Sequence, residues 1–105
     1  MMEPVQYIMR LRSVMTDPAK LGLPAVAPII ASVMATKLPA SVDKANSMTI
    51  RTSEDVVDAV SDIADVTVNE VATVLLYLGY RTAMVGGRLI WLVEDLQEPT
   101  GISED

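Results

Sequence analysis

The chain has 105 residues, half of them apolar, and a net charge of −6, which suits one domain with a single core. It contains no Cys and no His. That excludes a disulfide framework, thiolate chemistry, the usual zinc ligand sets and a Ser-His-Asp triad. The 16 uncharged residues between Lys20 and Lys37 fall short of the ~20 that a membrane-spanning helix needs, and Pro24 and Pro28 interrupt them.

Charge is divided unevenly. Residues 1–52 hold six basic and three acidic side chains, a balance of +3; residues 53–105 hold two basic and eleven acidic ones, a balance of −9. Either the polar faces and an acidic tail are simply solvated, or the two halves meet different partners or each other between subunits. With no Phe, one Trp and three Tyr, the core must be built from Val, Ile, Leu, Met and Ala. Glu3 and Pro4 stand where the basic region of a secretion signal would begin, so a cytoplasmic location is expected.

Glu3–Thr16 reads as a helix. Val5, Ile8, Leu11 and Met15 form an apolar face, widened by Tyr7, Met9 and Val14, opposite a polar stripe of Gln6, Arg10, Ser13 and Asp17. Such breadth suggests burial on more than one side. Asp17-Pro18 ends the helix. Leu23–Leu38 reads as a second helix with Pro24 in its first turn. Ala27, Ala31 and Ala35 recur every four residues, so a neighbouring helix can approach closely there. Pro39–Ser47 is a loop, and Met48–Arg51 is a short strand-compatible run.

Thr52–Ala64 reads as a helix opened by a capping box, Thr52 with Asp55 three residues on. Val56, Val57, Val60, Ile63 and Ala64 make its apolar stripe; Glu54, Asp55, Asp58, Asp62 and Asp65 lie on the other side. After a tight turn at Asp65–Val66, Thr67–Leu78 reads as the next helix, with a second capping box formed by Thr67 and Glu70. Val68, Val71, Ala72, Leu75 and Leu78 face inward, and Asn69, Glu70, Thr73, Leu76 and Tyr77 outward. Gly79 is placed to close the helix in the left-handed conformation. Arg81–Val85 and Arg88–Val93 are strands around Gly86-Gly87, a strong type I′ hairpin signal. Leu89 and Trp91 alternate with Arg88, Ile90 and Leu92, so one hairpin face closes the core. The last residues, 96–105, read as a disordered acidic tail.

The order helix, loop, short strand, helix, tight turn, helix, strand, Gly turn, strand resembles a winged helix-turn-helix domain over Pro24–Val93. The best part is "TIRTSEDVVDAVSDIADVTVNEVATVLLYLGYRTAMVGGRLIWLV". The fold class expected is α+β, mainly helical, with one domain over 1–95. Residues 1–18 add an N-terminal helix, a candidate dimerisation element. The resemblance makes Thr67–Leu78 the recognition helix and Arg81–Val93 the wing. It implies contacts to double-stranded DNA from Thr67, Asn69, Glu70, Thr73 and Tyr77. Arg51, Arg81 and Arg88 would bind phosphate.

The recognition helix has no Lys or Arg, however, and its partner helix with the turn after it bears five carboxylates that phosphate would repel. Two non-enzymatic readings therefore stand side by side. One is a small DNA-binding transcription regulator acting as a homodimer. The other is a protein-interaction module (an adaptor, an inhibitor or a viral accessory protein). It would offer Glu54, Asp55, Asp58, Asp62, Leu76 and Tyr77 to a basic protein surface. No enzyme, metal or cofactor is expected. Asp58, Asp62 and Asp65 lie on a helix with no oxygen-rich loop around them, and Gly86-Gly87 lacks the Lys and Ser/Thr of a phosphate-binding loop.

Overall fold

The computed structural model describes residues 4–42, 45–47 and 49–95; the tail expected over 96–105 lies outside them. The described residues form an α+β fold, about half helical, with four α-helices, short antiparallel strands and a hairpin. Among the described residues, no helix is long and apolar enough to cross a membrane.

Helix α1 spans Pro4–Thr16. Its buried residues differ from those the periodicity favours. Tyr7 and Val14 are buried and Leu11 partly so, while Val5, Ile8, Met9 and Met15 are exposed. The helix is apolar around most of its girth, and polar contacts decide which side turns in. The Tyr7 hydroxyl donates to the Met34 carbonyl at 2.7 Å, and the Arg10 guanidinium donates to the Tyr77 carbonyl at 2.8 Å. A 3-10 turn at Pro18–Leu21 follows and ends at Gly22, whose φ of 72° is left-handed.

Helix α2 is shorter than expected, Ala27–Met34 rather than Leu23–Leu38. Two prolines four residues apart cannot both sit in a helix interior, because each lacks an N–H. The helix begins where Pro28 occupies its first turn. Ala27 and Ala31 are fully buried, but Ala35 lies beyond the end and is exposed. This short helix packs against α1 and against the two helices that follow, and is the centre of the core. The chain then leaves as strand β1, Lys37–Pro39, where helix was expected.

Met48 lies outside the described residues, and Thr49–Arg51 forms no regular strand. Its one ladder-like bond runs from the Trp91 N–H to the Arg51 carbonyl at 2.6 Å. Helix α3, Ser53–Val60, and helix α4, Val68–Leu78, both carry the expected reciprocal capping boxes, Thr52 with Asp55 and Thr67 with Glu70. Each cap contributes about 1 kcal/mol, less than one fully buried Leu or Ile at roughly 1.5–3 kcal/mol. The caps therefore fix where the helices start, and the core holds them in place.

Helix α3 stops four residues before Ala64. The amides of Ile63 and Ala64 both turn back to the Val60 carbonyl, which carries Ile63 out to 71% exposure. It is not part of the buried stripe. In α4, Val71, Leu75 and Leu78 are fully buried as expected, and so is Val74, which the stripe omitted; Val68 is exposed. Gly79 closes the helix with a φ of 103°.

The hairpin comprises β2, Thr82–Val85, and β3, Arg88–Trp91, paired antiparallel with Val85 opposite Arg88. Gly86 and Gly87 take φ values of 59° and 82°, as a type I′ turn requires. Trp91 is buried and its indole N–H donates to the Ser53 hydroxyl at 3.0 Å. Leu89, expected to close the core with it, is exposed because the tip extends past the core. Leu92 is buried although it alternates with Trp91. Here β3 gives way to β4, Val93–Asp95, which pairs antiparallel with β1. Lys37 and Asp95 join across that pair at 2.9 Å.

Beneath these strands lies a polar cluster inside the core. The Tyr7 and Tyr80 hydroxyls stand 2.6 Å apart and their rings meet edge to face. The single Tyr80 proton lies within reach of the Lys37 carbonyl at 2.8 Å and the Met34 carbonyl at 3.2 Å, and is shared among these contacts. Burial, with the neighbouring Tyr7 as a lesser cause, holds the Tyr80 phenol above its ordinary range. Burial likewise raises Tyr7. Both stay protonated donors, serving carbonyls freed by the end of α2 and the start of β1.

Candidate functional site

The hairpin and the start of α3 bring together residues from two parts of the chain. Arg51 and Thr52 precede α3, Asp55 lies in its first turn, and Arg88 begins β3; all four line one open groove of about 310 Å³. The Trp91–Arg51 bond and the Trp91–Ser53 bond fasten the start of α3 to β3, so the groove has fixed walls. Arg51 and Arg88 are exposed. Among the described residues the ion pairs are Lys20–Asp17 and Lys37–Asp95, so neither arginine is held in one.

Asp55 is the acidic member of this groove. Burial pushes its carboxyl up, but bonds accepted from the Arg51 and Thr52 amides and the Thr52 hydroxyl, with the charge of Arg88, bring it below the usual carboxylate range. Its Oδ2 takes both amides, at 2.8 and 2.9 Å. The carboxylate thus closes the helix start, and half-buried as it is it is a poor docking residue. Arg81 stands apart from the other two arginines. It lines a second groove, of about 420 Å³, with Pro39, Gly79 and Thr82.

The outward residues of α4 divide into committed and free. The Thr67 hydroxyl accepts from the Glu70 amide, and Glu70 accepts from the Thr67 amide. Both side chains are engaged in closing the start of α4. Tyr77 is half-buried under Arg10, which lies 5.6 Å from its ring centre and bonds its carbonyl. Arg10 thereby neutralises the negative end of α4 and ties α1 to it. Asn69, Thr73 and Leu76 remain exposed. Thr73 returns its hydroxyl proton to the Asn69 carbonyl at 2.9 Å, which leaves its oxygen lone pairs outward. On α3 and the turn after it, Glu54, Asp58 and Asp62 are exposed.

The Arg10–Tyr77 contact and the Thr49 wall of the Arg51 groove are not legible in the sequence. Only the amphipathic placement of Arg10 hints at the first. Comparison with protein-family models, curated protein sequences and solved structures finds no match.

Proposed function

We propose that this chain is a small non-enzymatic winged helix-turn-helix protein that binds double-stranded DNA in transcription control. Helix α4 would enter the major groove and the β2–β3 hairpin would serve as the wing. The observation that carries the reading is the placement of cations. From Val71 to Val93 the only charged side chains are Arg81 and Arg88, and Arg88 shares its groove with Arg51 at the start of α3. In an otherwise acidic half, positive charge sits where a phosphate backbone would cross the helix start and the hairpin. Asn69 and Thr73 are the free polar side chains to read base edges.

The test is fluorescence anisotropy with a mixed-sequence duplex, stepping salt upward from a low value. Affinity should fall with a log–log slope of roughly −2 to −3 per bound chain, given about −0.9 per phosphate neutralised. Absence of binding even at low salt sinks the reading. The second reading, a protein-interaction module, would then lead. It is favoured by Leu76, exposed on an α4 face that bears no cation, and by the exposed carboxylates of Glu54, Asp58 and Asp62 on α3 and the turn after it.

The reading includes a homodimer formed through α1. Val5, Ile8, Arg12 and Met15 are all exposed, and their spacing of three, four and three follows a coiled-coil seam. Paired antiparallel, the stripe matches itself: Val5 of one copy meets Met15 of the other, and Ile8 meets Arg12. The 13-residue helix is only about 20 Å long, and Arg12 interrupts the seam. Such a contact covers less than the ~800 Å² per partner of a standard interface. Dimerisation should therefore be weak in free solution. Sedimentation equilibrium should show concentration-dependent dimers for the native chain and monomers for Ile8→Asp. Monomers alone for the native chain, at the highest concentrations reached, would remove α1 as the seam.

A further inference from the structure

Strand β4 ends at Asp95, and that end is held in place. The Asp95 carboxylate meets Lys37 at 2.9 Å, and the Asp95 N–H donates to the Asn46 side-chain oxygen at 2.9 Å. Asn46 in turn lines a groove of about 200 Å³ with Arg51, Ile90 and Val93. Arg51 and Ile90 also line the larger groove that contains Arg88. The two grooves meet at these shared walls. Together they form a trough that leads from the neighbourhood of Asp95, past Arg51, to Arg88.

Charge indicates what fits the trough. Arg51 and Arg88 are exposed and in no ion pair among the described residues, whereas Lys20 and Lys37 are held by Asp17 and Asp95. Asp55, the carboxylate in the trough, is committed to the Arg51 and Thr52 amides. Two cations against one committed carboxylate favour a further anion. The ten residues that continue the chain after Asp95, LQEPTGISED, carry Glu98, Glu104 and Asp105 and no cation. An extended chain advances about 3.3–3.6 Å per residue. Glu98 therefore reaches up to ~10 Å from Asp95, and the Glu104–Asp105 pair up to ~30 Å. Tethering also presents these carboxylates to the arginines at a millimolar effective concentration.

We propose that residues 96–105 dock in this trough, with Glu98 against Arg51 and the Glu104–Asp105 pair toward Arg88. The docking stands on the trough and its charges. Its consequence rests on the DNA reading above: the tail occupies the place of phosphate, so DNA must displace it. Each exposed ion pair is weak, so the tail exchanges with a polyanion and does not seal the groove.

The experiment uses the full chain. It has no cysteine, so Ser103→Cys gives one attachment point for a nitroxide spin label, read by the broadening of backbone amide signals. At low salt the amides of Arg51, Thr52 and Arg88 should lose more intensity than any others in the domain. They should recover in ~1 M salt, where screening acts over about 3 Å, and at low salt in the Arg51→Ala/Arg88→Ala variant. Both side chains are exposed, so that variant should melt as the native chain does. Isotope-labelled chains without the nitroxide, mixed with nitroxide-bearing chains without isotope, should show no broadening. Broadening in that mixture makes the occupant the tail of a second copy and overturns docking within one chain. So does broadening that is absent, centred elsewhere or unchanged in the arginine variant. Glu98→Gln/Glu104→Gln/Asp105→Asn should tighten DNA binding roughly tenfold at low salt, the effect of freeing a groove about 90% occupied. That gain should vanish when Arg51→Ala/Arg88→Ala is added; a gain that persists is general repulsion and overturns the competition. Local broadening without any DNA binding overturns the DNA reading and supports the docked tail.

Discussion

Tyr80→Ala is expected to destabilise the chain by about 3–5 kcal/mol, as for other buried aromatic truncations. Typical domains have only ~5–15 kcal/mol in total, so this variant should stand close to unfolding at ordinary temperature. Two losses combine. The ring leaves a cavity beside Tyr7 and Met34, and the hydroxyl no longer serves the Lys37 and Met34 carbonyls. Tyr80→Phe separates them. It keeps the ring and removes only the donor, and should cost about 1–3 kcal/mol, the penalty of a buried polar group left unpaired. Urea denaturation followed by circular dichroism gives both values. A phenylalanine variant as stable as the native chain would mean that the Tyr80 hydroxyl contributes nothing, and that the Tyr7–Met34 bond is the polar tie left in the cluster.

That cluster also marks the limit of what the sequence discloses. The features legible in advance are those set within a few residues. Thr52 with Asp55, Thr67 with Glu70, Gly79 and Gly86-Gly87 each specify a local backbone geometry whatever surrounds them, and each is where it was expected. Features that depend on distant partners were hidden. Tyr7 and Tyr80 are 73 residues apart, and Lys37 meets Asp95 across 58. Without those pairings, Lys37–Pro39 reads as the end of a helix, and the apolar girth of α1 does not say which side turns inward.

For the candidate site, composition singles out the arginines, because cations are rare after Thr52. It cannot say that Arg51 and Arg88 share one groove while Arg81 lines another. The same motif residues were also open to two incompatible uses. Thr67 and Glu70 have the chemistry to touch a base, but they close the start of α4. A side chain that accepts the first-turn amides cannot also leave for a groove without freeing those donors.

The sharpest functional prediction is a pair of charge changes with opposite signs. Arg51→Ala, Arg81→Ala and Arg88→Ala combined should lower DNA affinity at low salt by on the order of 10²–10³-fold and flatten the salt slope by roughly one for each phosphate no longer neutralised. Neutralising the exposed carboxylates, Glu54→Gln with Asp58→Asn and Asp62→Asn, should strengthen binding instead, since each repels the phosphate backbone. That gain should shrink at physiological salt, where screening acts over about 8 Å. Asp55 must be left in place: its carboxylate accepts the Arg51 and Thr52 amides, and replacing it would disturb the helix start along with the charge. Anisotropy titrations at two salt concentrations read all four comparisons. An arginine-free variant that binds as the native chain does would place the cations outside any DNA interface. If neutralising the carboxylates leaves DNA binding unchanged but abolishes capture of a basic peptide, the acidic face of α3 becomes the working surface and the arginines its bystanders.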